Sequence, residues 1–135
     1  MKLSKSTKII VGFILWPLII AIPQFNSNYA TGLLIGKLNY GEIPVEFYLG
    51  LVSGIFAALL FWGLSLLLSK ILFAITKMSF KESTIFFVLS IIFFSLTLLI
   101  HGNNLYKAFS LDEKKVNAAR ELLKQHETDK PVKGN

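Results

Sequence analysis

Residues 47–68 read FYLGLVSGIFAALLFWGLSLLL and contain no charged side chain. Glu46 stands directly before this stretch, and Lys70 follows it after one serine. At a rise of about 1.5 Å per residue, a helix of this length extends roughly 33 Å, which matches the hydrocarbon core of a bilayer. A helix in a soluble core needs no apolar run of that length. The stretch therefore predicts a transmembrane helix.

Small residues recur along this predicted helix. Gly50, Gly54 and Ala58 follow one another at every fourth position, with Ser53 and Ala57 beside them. Such a GxxxG-like strip predicts a helix-packing face, because a second backbone can approach closely where side chains are small. The helix that covers it is expected to belong to another membrane protein, to a second copy of the chain, or to the same chain.

Composition supports a membrane protein and excludes several other classes. The chain has 135 residues, enough for one small domain, and 53% of them are hydrophobic. It has no cysteine, which excludes disulfides and thiolate sites. The net charge of +6 lies almost wholly outside the apolar runs, where it orients membrane proteins and contacts lipid, so no nucleic-acid partner is indicated.

The chain begins with a short basic segment, residues 1–8, followed by a first predicted span at about 9–23. This shape also fits a secretory signal peptide, but residues 28–30, Asn-Tyr-Ala, make a poor cleavage site. An uncleaved anchor is the preferred interpretation. Pro17 lies inside the span and is expected to kink it, because proline removes one helical hydrogen bond.

Residues 24–46 are predicted to form a loop, since Asn, Ser, Gly and Pro punctuate them. The loop and its borders are rich in tyrosine, which favours the membrane interface because its ring is apolar and its hydroxyl is polar. Tyr40, Glu42 and Glu46 are predicted to be available there as partner contacts.

The second span is predicted at 46–69, extending towards 76, and the third at 81–101. A capping box beginning at Ser79 is expected to start the third helix, and Gly102 is expected to end it. Three hydroxyl residues repeat every seven positions along the third span: Ser83, Ser90 and Thr97. They are expected either to bond to their own backbone or to reach a neighbouring helix.

Residues 105–135 are predicted to lie outside the bilayer as a short amphipathic helix and a frayed tail from Asp129. A second capping box, beginning at Ser110, opens this helix. Its apolar stripe is narrow and is predicted to dock on a partner or on the membrane surface. The stripe consists of Val116, Ala119 and Leu123. The sequence as a whole thus predicts an all-α membrane protein with three transmembrane helices plus this fourth helix.

The lysines predict an orientation. The N-terminal segment and residues 70–81 together hold six lysines, which places both on the cytoplasmic side under the positive-inside rule. The tyrosine-rich loop and the C-terminal helix are then outside. The C-terminal segment holds seven bases and five acids, which argues the other way. Thirteen of the fourteen basic residues are lysine, which together with many Ile, Phe and Asn residues fits an AT-rich bacterial genome, so the expected location is a bacterial inner membrane.

Groups that would support catalysis or ion coupling are missing from the interior of the three predicted spans, because residues 9–23, 47–69 and 83–100 contain no Asp, Glu, Lys, Arg or His. The two histidines, His101 and His126, stand far apart, and no metal-ligand spacing is present. The sequence therefore predicts a protein that is not an enzyme and uses no cofactor or metal.

Two functions remain open at this stage. The first is a non-enzymatic interaction protein, either an accessory or assembly subunit of a membrane complex or an immunity-type protein acting on a partner in the same membrane. In size and span number the chain is similar to immunity proteins against pore-forming bacteriocins, although no motif carries that likeness. The alternative is a homo-oligomeric channel or small carrier with a Ser/Thr-lined pathway.

Overall fold

The computed structural model describes residues 2–129, which contain four helices and no strand. In chain order the helices are α1 (Lys5–Leu34), α2 (Val45–Thr76), α3 (Glu82–Phe109) and α4 (Glu113–Thr128). The first three are long and apolar enough to cross a membrane, whereas α4 is short and polar. The predicted fold class, an all-α integral membrane protein with three spans and one further helix, is confirmed. Apart from Asp129, the predicted frayed tail lies outside the described residues.

Helix α1 is the structural centre of the bundle. It packs along both α2 and α3, which touch each other much less. Its buried side chains, among them Trp16, Ile19, Ile22 and Phe25, form most of the apolar core. The apolar run on α2 thus identifies the membrane class, while α1 holds the helices together.

Three polar contacts set the register of α1 against α3, and they show that the two helices run parallel. They are Lys8 Nζ to Thr84 Oγ1 (2.9 Å), Trp16 Nε1 to Ser90 Oγ (3.0 Å), and Asn26 Nδ2 to the His101 carbonyl (2.9 Å). The three donors on α1 and the three acceptors on α3 follow the same chain order. The N-termini of α1 and α3 therefore lie at the same end of the bundle. Helix α2 runs antiparallel between those ends.

Helix α1 is longer than the sequence analysis predicted. The segment assigned to a loop from residue 24 stays helical to Leu34, past both Pro17 and Pro23. The reason is a second apolar stripe at helical spacing, formed by Phe25, Tyr29 and Leu33, all of which are buried. The intervening Asn and Ser residues have loop-like composition, but burial of the stripe outweighs their local preference.

The helix boundaries near the two predicted capping boxes also differ from those expected from the sequence. The start of α3 has Lys81 as its N-cap and no side-chain cap, so the box at Ser79 does not form. Helix α4 is capped by Asp112, whose carboxylate accepts from the Lys114 N–H at 3.4 Å, rather than by Ser110. Gly102 lies inside α3, because Leu105 and Ala108 beyond it pack against the end of α1.

Candidate interaction surface at the tyrosine end

The glycine strip of α2 lies against α1 of the same chain. A Cβ added at Gly54 would stand 2.3 Å from Pro17 Cα, and one at Gly50 would stand 2.9 Å from Ala21 Cα. Ala58 is fully buried one turn further along. The strip is therefore occupied within the monomer, which is the third of the possibilities that its sequence left open.

The other two residues of the predicted packing strip lie away from this contact. Ser53 is exposed and Ala57 is half-buried. The outward face of α2 carries large apolar side chains with half or more of their surface exposed, including Val52, Phe56 and Leu60. Such a face suits contact with lipid chains, and it contains no charged group between Glu46 and Lys70.

The hydroxyl residues of α3 also face inward. Ser83, Ser90 and Thr97 are all buried. Ser90 and Thr97 donate to carbonyls four residues earlier in their own helix, at 2.7 and 2.9 Å. Ser90 additionally accepts from the Trp16 indole, whose ring stacks on Phe61 at a centroid distance of 4.2 Å. The Ser90 hydroxyl thus joins α3 to α1 through Trp16, a role for Trp16 that sequence spacing did not indicate.

We call the end of the bundle that contains residues 24–48 and 101–129 the tyrosine end, because all four tyrosines of the chain belong to it. The connection between α1 and α2 is compact there. Glu42 accepts from the backbone N–H of Asn39 at 3.2 Å and from its side-chain amide at 2.9 Å. These bonds stabilise the charged carboxylate and so hold the pKa of Glu42 below its ordinary value, with the larger effect from the Asn39 side chain and the smaller from its backbone. Tyr40, at the tip, is 56% exposed.

Arg120 ties α4 to this connection. Its Nε donates to the Leu33 carbonyl at 2.6 Å and its Nη2 to the Leu38 carbonyl at 3.0 Å. The Leu33 carbonyl lies in the last turn of α1, where carbonyls carry partial negative charge that suits a guanidinium, and the Leu38 carbonyl lies in the connection that follows. No spacing or motif in the sequence predicted a role for this residue. The available signal was that it is the one arginine among fourteen basic residues.

An apolar cluster lies beneath Arg120 and completes the attachment of α4. Val116 is only 3% exposed and belongs to this cluster. Ala119 is half-buried, and Leu123 keeps 44% of its surface exposed. Of the three stripe residues predicted to contact a partner, Val116 is thus used inside the chain. The remaining buried members of the cluster are Phe25, Tyr29, Leu33 and Ala108.

Two clefts border the connection at residues 35–44. A cavity of about 350 Å³ is lined by Lys37, Glu46 and the last turns of α1. Another, of about 280 Å³, lies between Tyr40 and the first turns of α4, with Arg120 at its edge. Each cleft is lined by one basic and one acidic side chain: Lys37 and Glu46 in the first, Arg120 and Glu113 in the second. The described residues contain no cluster of three or more His, Asp or Glu side chains that could hold a metal ion.

The tyrosine end therefore brings the predicted contact residues Tyr40, Glu42 and Glu46 into one continuous surface with α4. Exposed aromatic groups such as Tyr40 are enriched in protein contact surfaces, and charged groups suit the polar rim of such a surface. Nothing in its geometry assembles a nucleophile with a base. Compared with known proteins, the chain matches no family model, and no curated protein or solved structure is significantly similar to it.

Proposed function

We propose that this protein is a small non-enzymatic interaction protein that contacts a partner in the same membrane through its tyrosine end. The observation that carries the proposal is the attachment of α4 by Arg120 and Val116, which gives this end a defined shape. A surface that is ordered before binding loses less conformational entropy when a partner docks. Tyr40 and Glu46 then stand exposed on a framework that can position them.

The spans also support this proposal, because their small and polar groups are already used in packing inside the bundle. The glycine strip is covered by α1, and the hydroxyls of α3 are directed into the bundle. The outward surface of the spans is largely apolar, apart from hydroxyls such as Ser53 and Ser95, whereas charged side chains are exposed at the tyrosine end. An accessory or assembly subunit, or an immunity-type protein, requires a specific outer surface of this kind and no route through its own core.

The alternative of a homo-oligomeric channel or small carrier receives less support. A pathway between subunits would need polar groups on the outward faces of the spans. Ser83, Ser90 and Thr97, the stripe suggested for that purpose, are buried within the bundle, and Ser90 accepts a hydrogen bond from Trp16 of α1. Assembling such a pore would require α1 to move out of the bundle, with loss of the Trp16–Ser90 hydrogen bond.

The proposed setting is the bacterial inner membrane, with the N-terminus cytoplasmic and the tyrosine end outside. The proposal follows from six lysines at the opposite end of the bundle, because positive charge is retained on the cytoplasmic side. The partner surface would then face the periplasmic side of that membrane. A toxin arriving from outside and a periplasmic domain of a larger complex would both be accessible to it.

Site-specific photocrosslinking in native membranes tests the proposed contact. A benzophenone amino acid is placed at Tyr40 in one variant and at Phe56, on the outward face of α2, in a matched control. We expect a discrete protein adduct at position 40, identified by mass spectrometry, and lipid adducts at position 56. An adduct that forms only after a pore-forming toxin is added would select the immunity role over the accessory role.

The same experiment can overturn the proposal. If position 40 gives no protein adduct, or only adducts between copies of the chain, the tyrosine end is not a surface for a different partner. Self-adducts together with solute flux through reconstituted vesicles would favour the channel instead.

A further inference from the structure

The end of the bundle opposite the tyrosine end carries a concentrated positive charge. We call it the lysine end and define it as residues 2–8 and 70–82. It contains six lysines and a single acidic residue, Glu82. The described residues of the tyrosine end, in contrast, hold six basic and seven acidic side chains. The six lysines are Lys2, Lys5, Lys8, Lys70, Lys77 and Lys81.

Tertiary structure brings the two lysine-bearing segments together. Lys5 Nζ lies 3.3 Å from a Glu82 carboxylate oxygen, and Lys8 Nζ donates to Thr84 Oγ1 at 2.9 Å. Glu82 is the sole carboxylate at this end, and within the described part of the chain it pairs with Lys5 alone. Five of the six lysines at the lysine end therefore have no salt bridge among the described residues.

Apolar side chains are interleaved with these lysines. Between Lys77 and Lys81 the chain exposes Met78 at 61% and Phe80 at 37%. Ile75 precedes them at 74% exposure. The segment is turned back onto the bundle by a hydrogen bond from Ser69 Oγ to the Phe80 carbonyl. It therefore stays close to the ends of α2 and α3.

This combination suits the boundary between lipid headgroups and acyl chains. Exposed apolar side chains are stabilised when they enter that boundary, and lysine stems extend so that their ammonium groups reach the phosphates. If this end lay in water, the apolar side chains of Ile75, Met78 and Phe80 would stay hydrated and would gain no such stabilisation. Zwitterionic headgroups would satisfy the apolar groups equally well, but they would leave the excess positive charge without a net counter-charge.

From this geometry we infer that the lysine end binds the headgroups of anionic phospholipids and gathers them around α1, α2 and α3. The ligand chemistry is a phosphate diester monoanion whose acyl chains lie along the apolar helices. The binding is electrostatic, so salt weakens it. The inference concerns the end opposite the proposed partner surface, and it holds whether or not the tyrosine end binds a protein.

Lipid retention by the full-length protein tests the inference. The protein is reconstituted into phosphatidylcholine vesicles that contain a minority of phosphatidylglycerol, then extracted in mild detergent. Lipids that remain bound are quantified by mass spectrometry. We expect phosphatidylglycerol to be enriched over its vesicle fraction, with an enrichment that falls as sodium chloride is raised.

Paired charge variants locate the site. Lys77→Asn with Lys81→Gln removes two charges from the lysine end; asparagine is chosen at 77 because Lys77 has a left-handed backbone, with φ of 57°. Lys114→Gln with Lys115→Gln removes the same charge from α4. We expect the first pair to lower the enrichment about tenfold at low salt and the second to leave it unchanged.

Several outcomes would overturn the inference. Equal loss in both pairs would mean that net charge alone determines lipid retention. Absence of enrichment in the unsubstituted protein, or enrichment that salt does not reduce, would exclude an electrostatic lipid site even if a variant failed to fold. Inorganic phosphate that displaces the lipid better than chloride at equal ionic strength would identify a site for free phosphate instead.

Discussion

Substitution of Gly54 by alanine probes a close approach between the backbones of α1 and α2. The added Cβ would lie 2.3 Å from Pro17 Cα and 2.8 Å from the Trp16 carbonyl oxygen. Both atoms belong to backbone, so neither can rotate away as the end of a side chain could. Helices α1 and α2 must therefore separate locally to admit one methyl group.

The size of the effect follows from this geometry. Ordinary van der Waals contact of a Cβ begins near 3.4 Å, so α2 has to withdraw by about 1 Å. That movement loosens the stack of Trp16 on Phe61, whose centroids are 4.2 Å apart. In the bilayer, helices associate through close packing rather than through exclusion of water, so this loss is not compensated. We expect a destabilisation of about 1–3 kcal/mol, typical of overpacking.

Unfolding in mixed micelles provides the assay. Purified protein in a mild detergent is titrated with sodium dodecyl sulfate, and tryptophan fluorescence follows the transition because Trp16 and Trp62 both lie in the packed core. Gly63→Ala is the matched control, since a Cβ there meets nothing within 4 Å. The control should be neutral or stabilising by up to about 1 kcal/mol, as expected when glycine is replaced in a helix. Midpoints for the two variants that agree within error would refute the account of the glycine strip.

Three further predictions concern the other contacts. Trp16→Phe should destabilise the bundle by about 1 kcal/mol in the same titration, because it removes the donor to Ser90; an unchanged midpoint would show that this bond is not stabilising. Arg120→Met should speed amide exchange in α4 about tenfold and leave the spans unchanged, since two charge-assisted bonds are lost; equal exchange would mean that the apolar cluster alone retains α4. With no native cysteine, Tyr40→Cys should react with an impermeant thiol reagent on intact cells while Lys77→Cys is protected; the opposite pattern would invert the topology.

The membrane class could be predicted from the sequence, because it depends on a local quantity. A run such as 47–68 without charge is costly to expose to water and long enough to cross a bilayer, whatever surrounds it. The count of three spans and the separate polar helix near the C-terminus followed from the same reasoning. The small-residue strip at Gly50 and Gly54 likewise predicted a close helix contact, but it did not identify which helix makes that contact.

Only the tertiary structure decided which groups meet. Asn and Ser residues after Pro23 suggested a loop, but burial of Tyr29 and Leu33 against distant segments keeps α1 helical to Leu34. Arg120 is unremarkable in its own helix, and its role depends on carbonyls more than eighty residues earlier in the chain. Local sequence records propensity and hydropathy, whereas these features arise from contacts between residues far apart in sequence, whose energies no local pattern contains.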